Sequence, residues 1–266
     1  QGVMDRARRW TWLFLLVLPA VGWLSVFWMF PLVMALLMSF REFDPQAVVG
    51  LKITLKNYIT LISDPFYLHA FWRTLWIAGV ATAASILFGY PLAYHTVKAR
   101  AQERPFLTLI LLVPVMLSLV VTAFAWLILL GPSGFANRIL LGLHIVTEPV
   151  QILNTELGVI IVLVYSFSPY MMLSIMSSLE NVDPSLLRAA RILGASPWRT
   201  FWKVTLPLSV PGVLSGSLMV FSLSAAAFVT PYIIGGNRVK VVPLLIYNFA
   251  IALFDWPDAA ALCVLL

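Results

Sequence analysis

The chain has 266 residues, 61% of them hydrophobic and only 11% charged, where a soluble domain carries about a quarter charged residues. That balance excludes a water-soluble enzyme and predicts an all-α polytopic membrane protein. The net charge of +6 is scattered in small groups between apolar runs, which fits unequal loop charge across a bilayer and not a nucleic-acid surface. The single Cys263 rules out a disulfide framework or a cysteine metal site.

Span 1 is read from about Trp12 to Phe40, with Pro19 and Pro31 inside it. Proline is tolerated in a membrane helix where neighbours satisfy the freed carbonyls. Arg6, Arg8 and Arg9 precede this run; it is too long for a signal-peptide core and no small-residue cleavage site follows, so it is read as retained. Arg41 to Leu68 is a polar loop with room for a strand, or for a short surface helix near Leu55 to Ile62. Span 2 runs from about Ala70 to Val97, with Arg73 near one end and Pro91 near the other. Lys98, Arg100 and Arg104 mark a short basic loop, and span 3 follows as Phe106 to Leu130 with Pro114 inside. Gly131 to Glu156 is a second long loop that opens on a turn cluster and offers a short helix at Asn137 to Leu143. Span 4 is Leu157 to about Leu179, interrupted by Pro169.

The stretch that follows, within residues 180–207, is amphipathic, basic and tightly punctuated. Asp183 is a good N-cap and Pro184 suits the first helical position. Leu186, Leu187, Ala190 and Leu193 recur at helical spacing, flanked by Arg188 and Arg191. Gly194 stands where a helix closes in the left-handed conformation, and after Ala195 the pair Ser196-Pro197 repeats the start signal. Trp198, Phe201 and Trp202 then recur at i, i+3 and i+4. Pro184 to Leu193 would form a rod of roughly 15 Å, too short to cross a bilayer. Two readings fit: a helix lying on lipid headgroups, or a folded unit that docks a soluble partner. The paired caps favour docking, because a surface-lying helix needs no defined corner.

Span 5 is Leu208 to about Ile234, ending at Gly235-Gly236. Val241 to Phe254 is apolar but short, and reads as a re-entrant or interfacial segment. Span 6 starts near Pro257 and is cut off at Leu266. No internal repeat or linker divides the chain, so residues 1–266 are read as one membrane domain of six transmembrane helices. With the N-terminus and the loops after spans 2 and 4 on one side, that side holds ten of the 17 basic residues but four of the 11 acidic ones. The positive-inside rule makes it cytoplasmic.

A search for chemistry is negative. His69, His95 and His144 fall in three separate regions without metal-ligand spacing, and no P-loop is present. The serines in the apolar runs fit helix packing. The inner parts of spans 3 to 5 carry no Asp, Glu, Lys or Arg, which argues against a proton relay. The energy input then has to come from outside the membrane, through the docking loop. A gated channel and a membrane-embedded enzyme remain as readings of another class; the enzyme would need polar groups converging at one depth.

The docking loop resembles the signature of permease subunits of binding-protein-dependent (type I) ABC importers: Glu-Ala-Ala, three residues, Gly, nine residues, Ile-x-Leu-Pro. Here Arg188-Ala189-Ala190 is followed by three residues, Gly194, nine residues and Val204-Thr205-Leu206-Pro207. Arg188 reverses the charge of the family's Glu. Asn57-Tyr58, Asp255-Trp256-Pro257 and the six-span layout look like the spermidine/putrescine subfamily, while related subfamilies carry opines, amino-acid-like compounds, iron or thiamine. The resemblance implies a coupling helix between spans 4 and 5, with Asp183, Pro184, Leu187, Arg188, Ala189, Ala190, Gly194, Ala195 and Ser196 as the ATPase-coupling residues. It implies a second permease subunit (a homologous different chain or a second copy of this one), two ATPase subunits that hold ATP and Mg, and a periplasmic binding protein, in a bacterial inner membrane with the N-terminus cytoplasmic. It implies no enzyme activity and no cofactor on this chain.

For the substrate path, the polar and aromatic residues of spans 3 to 5 are the candidates: Trp126, Tyr165, Ser168, Tyr170, Ser222, Ser224 and Tyr232. Aromatic faces hold cationic amines, although the same rings also serve as packing. The carboxylates Asp64, Glu148, Glu156, Asp255 and Asp258 could attract a polycation or be ordinary loop charges.

Overall fold

The computed structural model describes residues 2–44, 49–50 and 52–266, with side chains from residue 16 onward. The side chains of Arg6, Arg8 and Arg9 lie outside the described residues. Two compact units are present: residues 1–68 with 245–266, and residues 69–244. Among the described residues five helices are long and apolar enough to cross a membrane by length and composition, and shorter apolar helices cover Arg104–Met116, Val242–Ala252 and Trp256–Leu265.

In the first unit α1 (Gly2–Ser39) packs on α12 (Trp256–Leu265). Its apolar surface is exposed along much of Leu16 to Leu37, as a lipid-facing helix requires. Among the described residues the loop after it forms one antiparallel bridge, Arg41 to Ile53, and then the short helix α2 (Lys56–Ser63). Asn57 has a structural task. Its buried amide donates to the carbonyls of Ser39 (3.0 Å) and Arg41 (2.8 Å), which closes the open end of α1. The Tyr58 hydroxyl meets Ser39 Oγ at 2.6 Å. Asp255 accepts from the Asp258 N–H at 3.1 Å and caps α12, and burial pushes its carboxyl above the usual carboxylate range. Both motifs outside the docking loop therefore act at helix ends, Asn57 closing α1 and Asp255 opening α12.

The second unit is centred on α7 (Glu156–Glu180). The largest contact is with α10 (Leu206–Ala225). Gly212 and Gly216 lie one turn apart on α10, and a Cβ on Gly212 would sit 2.6 Å from the Ser174 carbonyl oxygen and 2.4 Å from Ser178 Cβ. A Cβ on Gly216 would meet Met171 Sδ at 2.7 Å. This is close backbone approach through small residues, the membrane route to van der Waals packing. The helix α3 (Pro65–Lys98) also packs on α7, where Gly89 lies against Met171 and Met172. Its start is capped by Asp64, which accepts from the Phe66 N–H at 2.8 Å. Val159, Val162, Leu163, Met171 and Ile175 are fully enclosed in this core.

Span 3 departs from the continuous helix expected over Phe106 to Leu130. Two helices stand there, α4 (Arg104–Met116) and α5 (Leu119–Leu130), joined through extended backbone at Leu117 and Ser118. Pro114 sits inside α4, where it frees the Ile110 carbonyl one turn earlier, and the helix runs on two residues past it before the backbone becomes extended. Past α5 comes α6 (Phe135–Gly142), where Asn137 bonds Gly131 and Val150 across the loop. At this end of the unit Arg73 pairs with Glu156 at 2.8 Å and donates to the Arg238 carbonyl at 3.1 Å. The Val242 N–H donates to Thr74 Oγ1 at 2.9 Å at the first residue of α11 (Val242–Tyr247). The short apolar segment expected at Val241 to Phe254 is α11 continued by a π-helical turn at Asn248–Ala252.

Candidate functional site

The loop between α7 and α10 folds as its residues dictate. Asp183 accepts the Ser185 N–H at 2.7 Å, and Pro184 opens α8 (Pro184–Ile192). That backbone bond, with the Ser185 hydroxyl and then Arg188 adding to it, holds the Asp183 carboxyl below the usual carboxylate range. The helix closes in a Schellman motif: the Gly194 N–H donates to Arg191 O and the Ala195 N–H to Ala190 O, each at 3.0 Å, with Gly194 at φ +80°. Ser196 then accepts the Arg199 N–H at 3.3 Å and Pro197 starts α9 (Pro197–Thr200). The corner Gly194-Ala195-Ser196-Pro197 thus has every expected cap in place.

The same helix buries none of its residues against its own chain. Ile192 and Leu193 are 85% and 86% exposed at its tip, and Leu186 is exposed as well. Arg188 and Ala189 are exposed beside them, and Ala190 is half-buried. Leu187 points the other way and lines a cavity beneath the helix. A capped, defined helix that presents apolar side chains to the outside is built to be covered by something else.

Beyond α9 the chain makes a π-helical turn, Phe201–Thr205, before α10. Phe201 packs edge-on to Tyr90 (5.8 Å) and Tyr94 (5.3 Å) of α3, and its ring also meets Trp198 and Trp202. One turn further, Tyr90 Oη and Ser209 Oγ meet at 2.7 Å in a buried contact. The docking loop is therefore tied to two long helices, to α3 through rings and to α10 by continuity. The aromatic spacing was legible in the sequence as an amphipathic pattern; its partners on α3 were not.

Arg104 at the start of α4 pairs with Glu180 at the end of α7, and Lys98 lies over the Tyr94 ring, 4.0 Å from its centroid. The loops after spans 2 and 4 therefore share one end of the unit, the grouping that the charge count requires.

The candidate path residues do not form one cluster. Trp126 and Tyr165 come together edge-on at 5.3 Å. Tyr170 packs on Phe167 at 6.4 Å. Ser168 and Ser224 are buried in the core, whereas Ser222 and Tyr232 are exposed. Of the carboxylates considered for a polycation, Asp64 and Asp255 are helix caps and Glu156 is paired with Arg73.

Residues 81–266 match the family described as binding-protein-dependent transport system inner membrane component. The chain is 34% identical over 243 residues to the spermidine/putrescine transport system permease protein PotB of Haemophilus influenzae, covering 91% of this chain and 85% of that one. It is 34% identical over 251 residues to the protein of the same description from Escherichia coli, covering 94% and 91%. Among solved structures it is similar to a chain of a bacterial ABC transporter involved in the import of the acidic polysaccharide alginate. That match has a TM-score of 0.77 at 19% identity, over 100% of this chain and 93% of the other; at this identity it carries the fold alone.

Proposed function

The chain belongs to the family of binding-protein-dependent transport system inner membrane components, and on that premise we propose that it forms half of the pathway of an ATP-driven importer of a polyamine. Family and apolar helices together make it a multi-pass inner-membrane transport subunit. In the proposed orientation the N-terminus and the α8 end face the cytoplasm. A second permease chain completes the pathway, two ATPase subunits hold ATP and Mg, and a periplasmic protein delivers the solute. Both compact units serve this one permease domain. The polyamine assignment is supported by the similarity to the two PotB proteins.

The observation that carries the reading is α8, capped at both ends and uncovered by its own chain. Asp183, Pro184, Gly194, Ala195 and Ser196 set its shape. Leu187 seats it on the unit, and Ala189 and Ala190 leave room for a close partner surface. ATP-driven closure of the ATPases would push α8, and a rigid corner passes that push to α3 and α10 as a shift between two packed arrangements. Arg188 then meets a carboxylate on the ATPase.

Co-purification in mild detergent tests this. The expected result is that the chain brings down an ATPase subunit, and that Ile192→Asp with Leu193→Asp abolishes the association while leaving thermal unfolding of the chain unchanged. Arg188→Glu should weaken the association. Capture of no ATPase by the unmodified chain overturns the importer reading. For the solute, the reconstituted assembly should take up labelled spermidine in competition with putrescine, and uptake of thiamine in their place overturns the polyamine assignment.

A further inference from the structure

A cavity of about 390 Å³ lies beneath α8, between the end of α3, the start of α4 and the end of α7. Val97, Leu179 and Leu187 supply apolar walls, and Lys98 and Arg104 supply cationic groups. Arg104 also heads a second, more open groove of about 600 Å³ that runs along α4 past Pro105, Thr108, Leu109 and Leu112. Residues 104, 108 and 112, with 105 and 109 beside them, form one stripe of a helix, about 12 Å long at the helical rise. Its first residue is basic and the rest carry no charge.

Three basic residues, Lys98, Arg100 and Arg104, crowd this end against the acids Glu103 and Glu180. Arg104 is paired with Glu180 yet 40% of its side chain remains exposed. Its planar guanidinium has five N–H donors, more than one carboxylate can use. Glu180 is the last residue of α7, a short step before the Asp183 cap of α8.

We propose that this is a site for one anionic phospholipid, with its phosphate on Arg104 and Lys98, one acyl chain along the α4 stripe, and Glu180 competing with the phosphate for Arg104. A cationic head followed by an uncharged stripe is complementary to a negative headgroup followed by an acyl tail. The orientation proposed above, on which the choice of leaflet rests, puts the site at the negatively charged cytoplasmic leaflet. Occupancy would loosen the Arg104–Glu180 tie at the root of the docking loop, so lipid composition would bias how firmly α8 is held.

The test reads lipid retention, which needs neither ATPase activity nor transport and so fails independently of the importer reading. The full chain is purified in mild detergent with whatever subunits accompany it, delipidated, and titrated with phosphatidylglycerol or phosphatidylethanolamine under native mass spectrometry. One phosphatidylglycerol is expected to persist in preference to phosphatidylethanolamine. Arg104→Gln should weaken its retention roughly tenfold, the scale of a lost charge-assisted contact. Glu180→Gln should strengthen it, because the competitor for Arg104 is gone. A purely structural ion pair would move both variants in the same direction, so the opposite signs are the signature. Lys98→Gln leaves the Arg104–Glu180 pair intact and should weaken retention by a smaller factor, which separates lipid contact from misfolding. Equal retention of the two lipids, shifts of the same sign in Arg104→Gln and Glu180→Gln, or a stripe occupied by the second permease chain would each overturn the proposal.

Discussion

The α7–α10 pair and the α8 docking helix stand next to each other in the chain and use glycine in opposite ways. On α10, Gly212 and Gly216 are present because nothing larger fits between two backbones. At the end of α8, Gly194 has no atom within 4 Å of where a Cβ would be, and is required by its φ of +80° alone. The first kind of glycine welds two spans into one body. The second sets the angle of a lever that rests on its own chain through Leu187 and leaves its tip, Ile192 and Leu193, uncovered. A membrane subunit that has to pass on a push needs both, a part that does not deform and a part left open to its driver.

Removing the weld between α7 and α10 has the largest expected effect. Gly212→Leu places a branched side chain where even a Cβ would lie 2.4 Å from Ser178 Cβ and 2.6 Å from the Ser174 carbonyl oxygen. Backbone on one side cannot yield as a flexible side chain can, so the helices must separate. Overpacking costs of about 1–3 kcal/mol are typical where repacking is possible, and this site lies beyond that range. Loss of folded, monodisperse protein after detergent extraction is the expected outcome. Normal yield and an unchanged melting curve would show that α7 and α10 are not the rigid body described.

A smaller and more selective effect is expected at the lever. Gly194→Val meets no neighbour, so its cost is the left-handed conformation itself, about 1–2 kcal/mol, concentrated at the corner between α8 and α9. Thermal unfolding of the membrane core should stay within error of wild type. Solute moved per ATP should fall several-fold in the reconstituted assembly, because the corner relaxes and α8 meets its partner at another angle. A parallel loss of core stability would mean that the corner supports the fold and not the transmission.

These two glycine classes also mark what the sequence could and could not disclose. The docking loop was readable almost residue by residue, since caps, helix-opening prolines and a C-terminal glycine act within a few residues of themselves. Asp183, Gly194 and Ser196 all occupy the positions their chemistry calls for. The glycine pair on α10 passed as unremarkable small residues in an apolar run, because its meaning depends on Ser174 and Ser178 on another span. The break at Leu117–Ser118 was hidden for a different reason: a proline inside a membrane helix is compatible with a kink, a break or a straight helix, and neighbours decide which. The pair Arg104–Glu180 joins residues 76 apart in sequence, beyond the reach of any local pattern. Asn57 and Asp255, which carry the resemblance to a subfamily, close α1 and open α12.

The smallest expected effect concerns the first cap of the lever. The Asp183 carboxyl is held below its ordinary range because its charged form accepts the Ser185 N–H. A carboxylate of this kind contributes to helix α8 in full above its unfolded pKa of about 4, and the contribution is lost as pH falls through the lower, folded value. Amide exchange at Ser185 and Leu186 should therefore show constant protection from pH 5 to 8 once corrected for intrinsic rates. Asp183→Asn should keep that protection, since asparagine caps as well as aspartate does, and Asp183→Ala should lose part of it at every pH in the window. If protection in the wild type instead falls across pH 5 to 8, the group that orders the start of α8 titrates near neutrality and is not Asp183. The docking helix would then draw its order from contacts outside its own caps, and the contrast with the self-sufficient α7–α10 pair would have to be redrawn at the level of the cap.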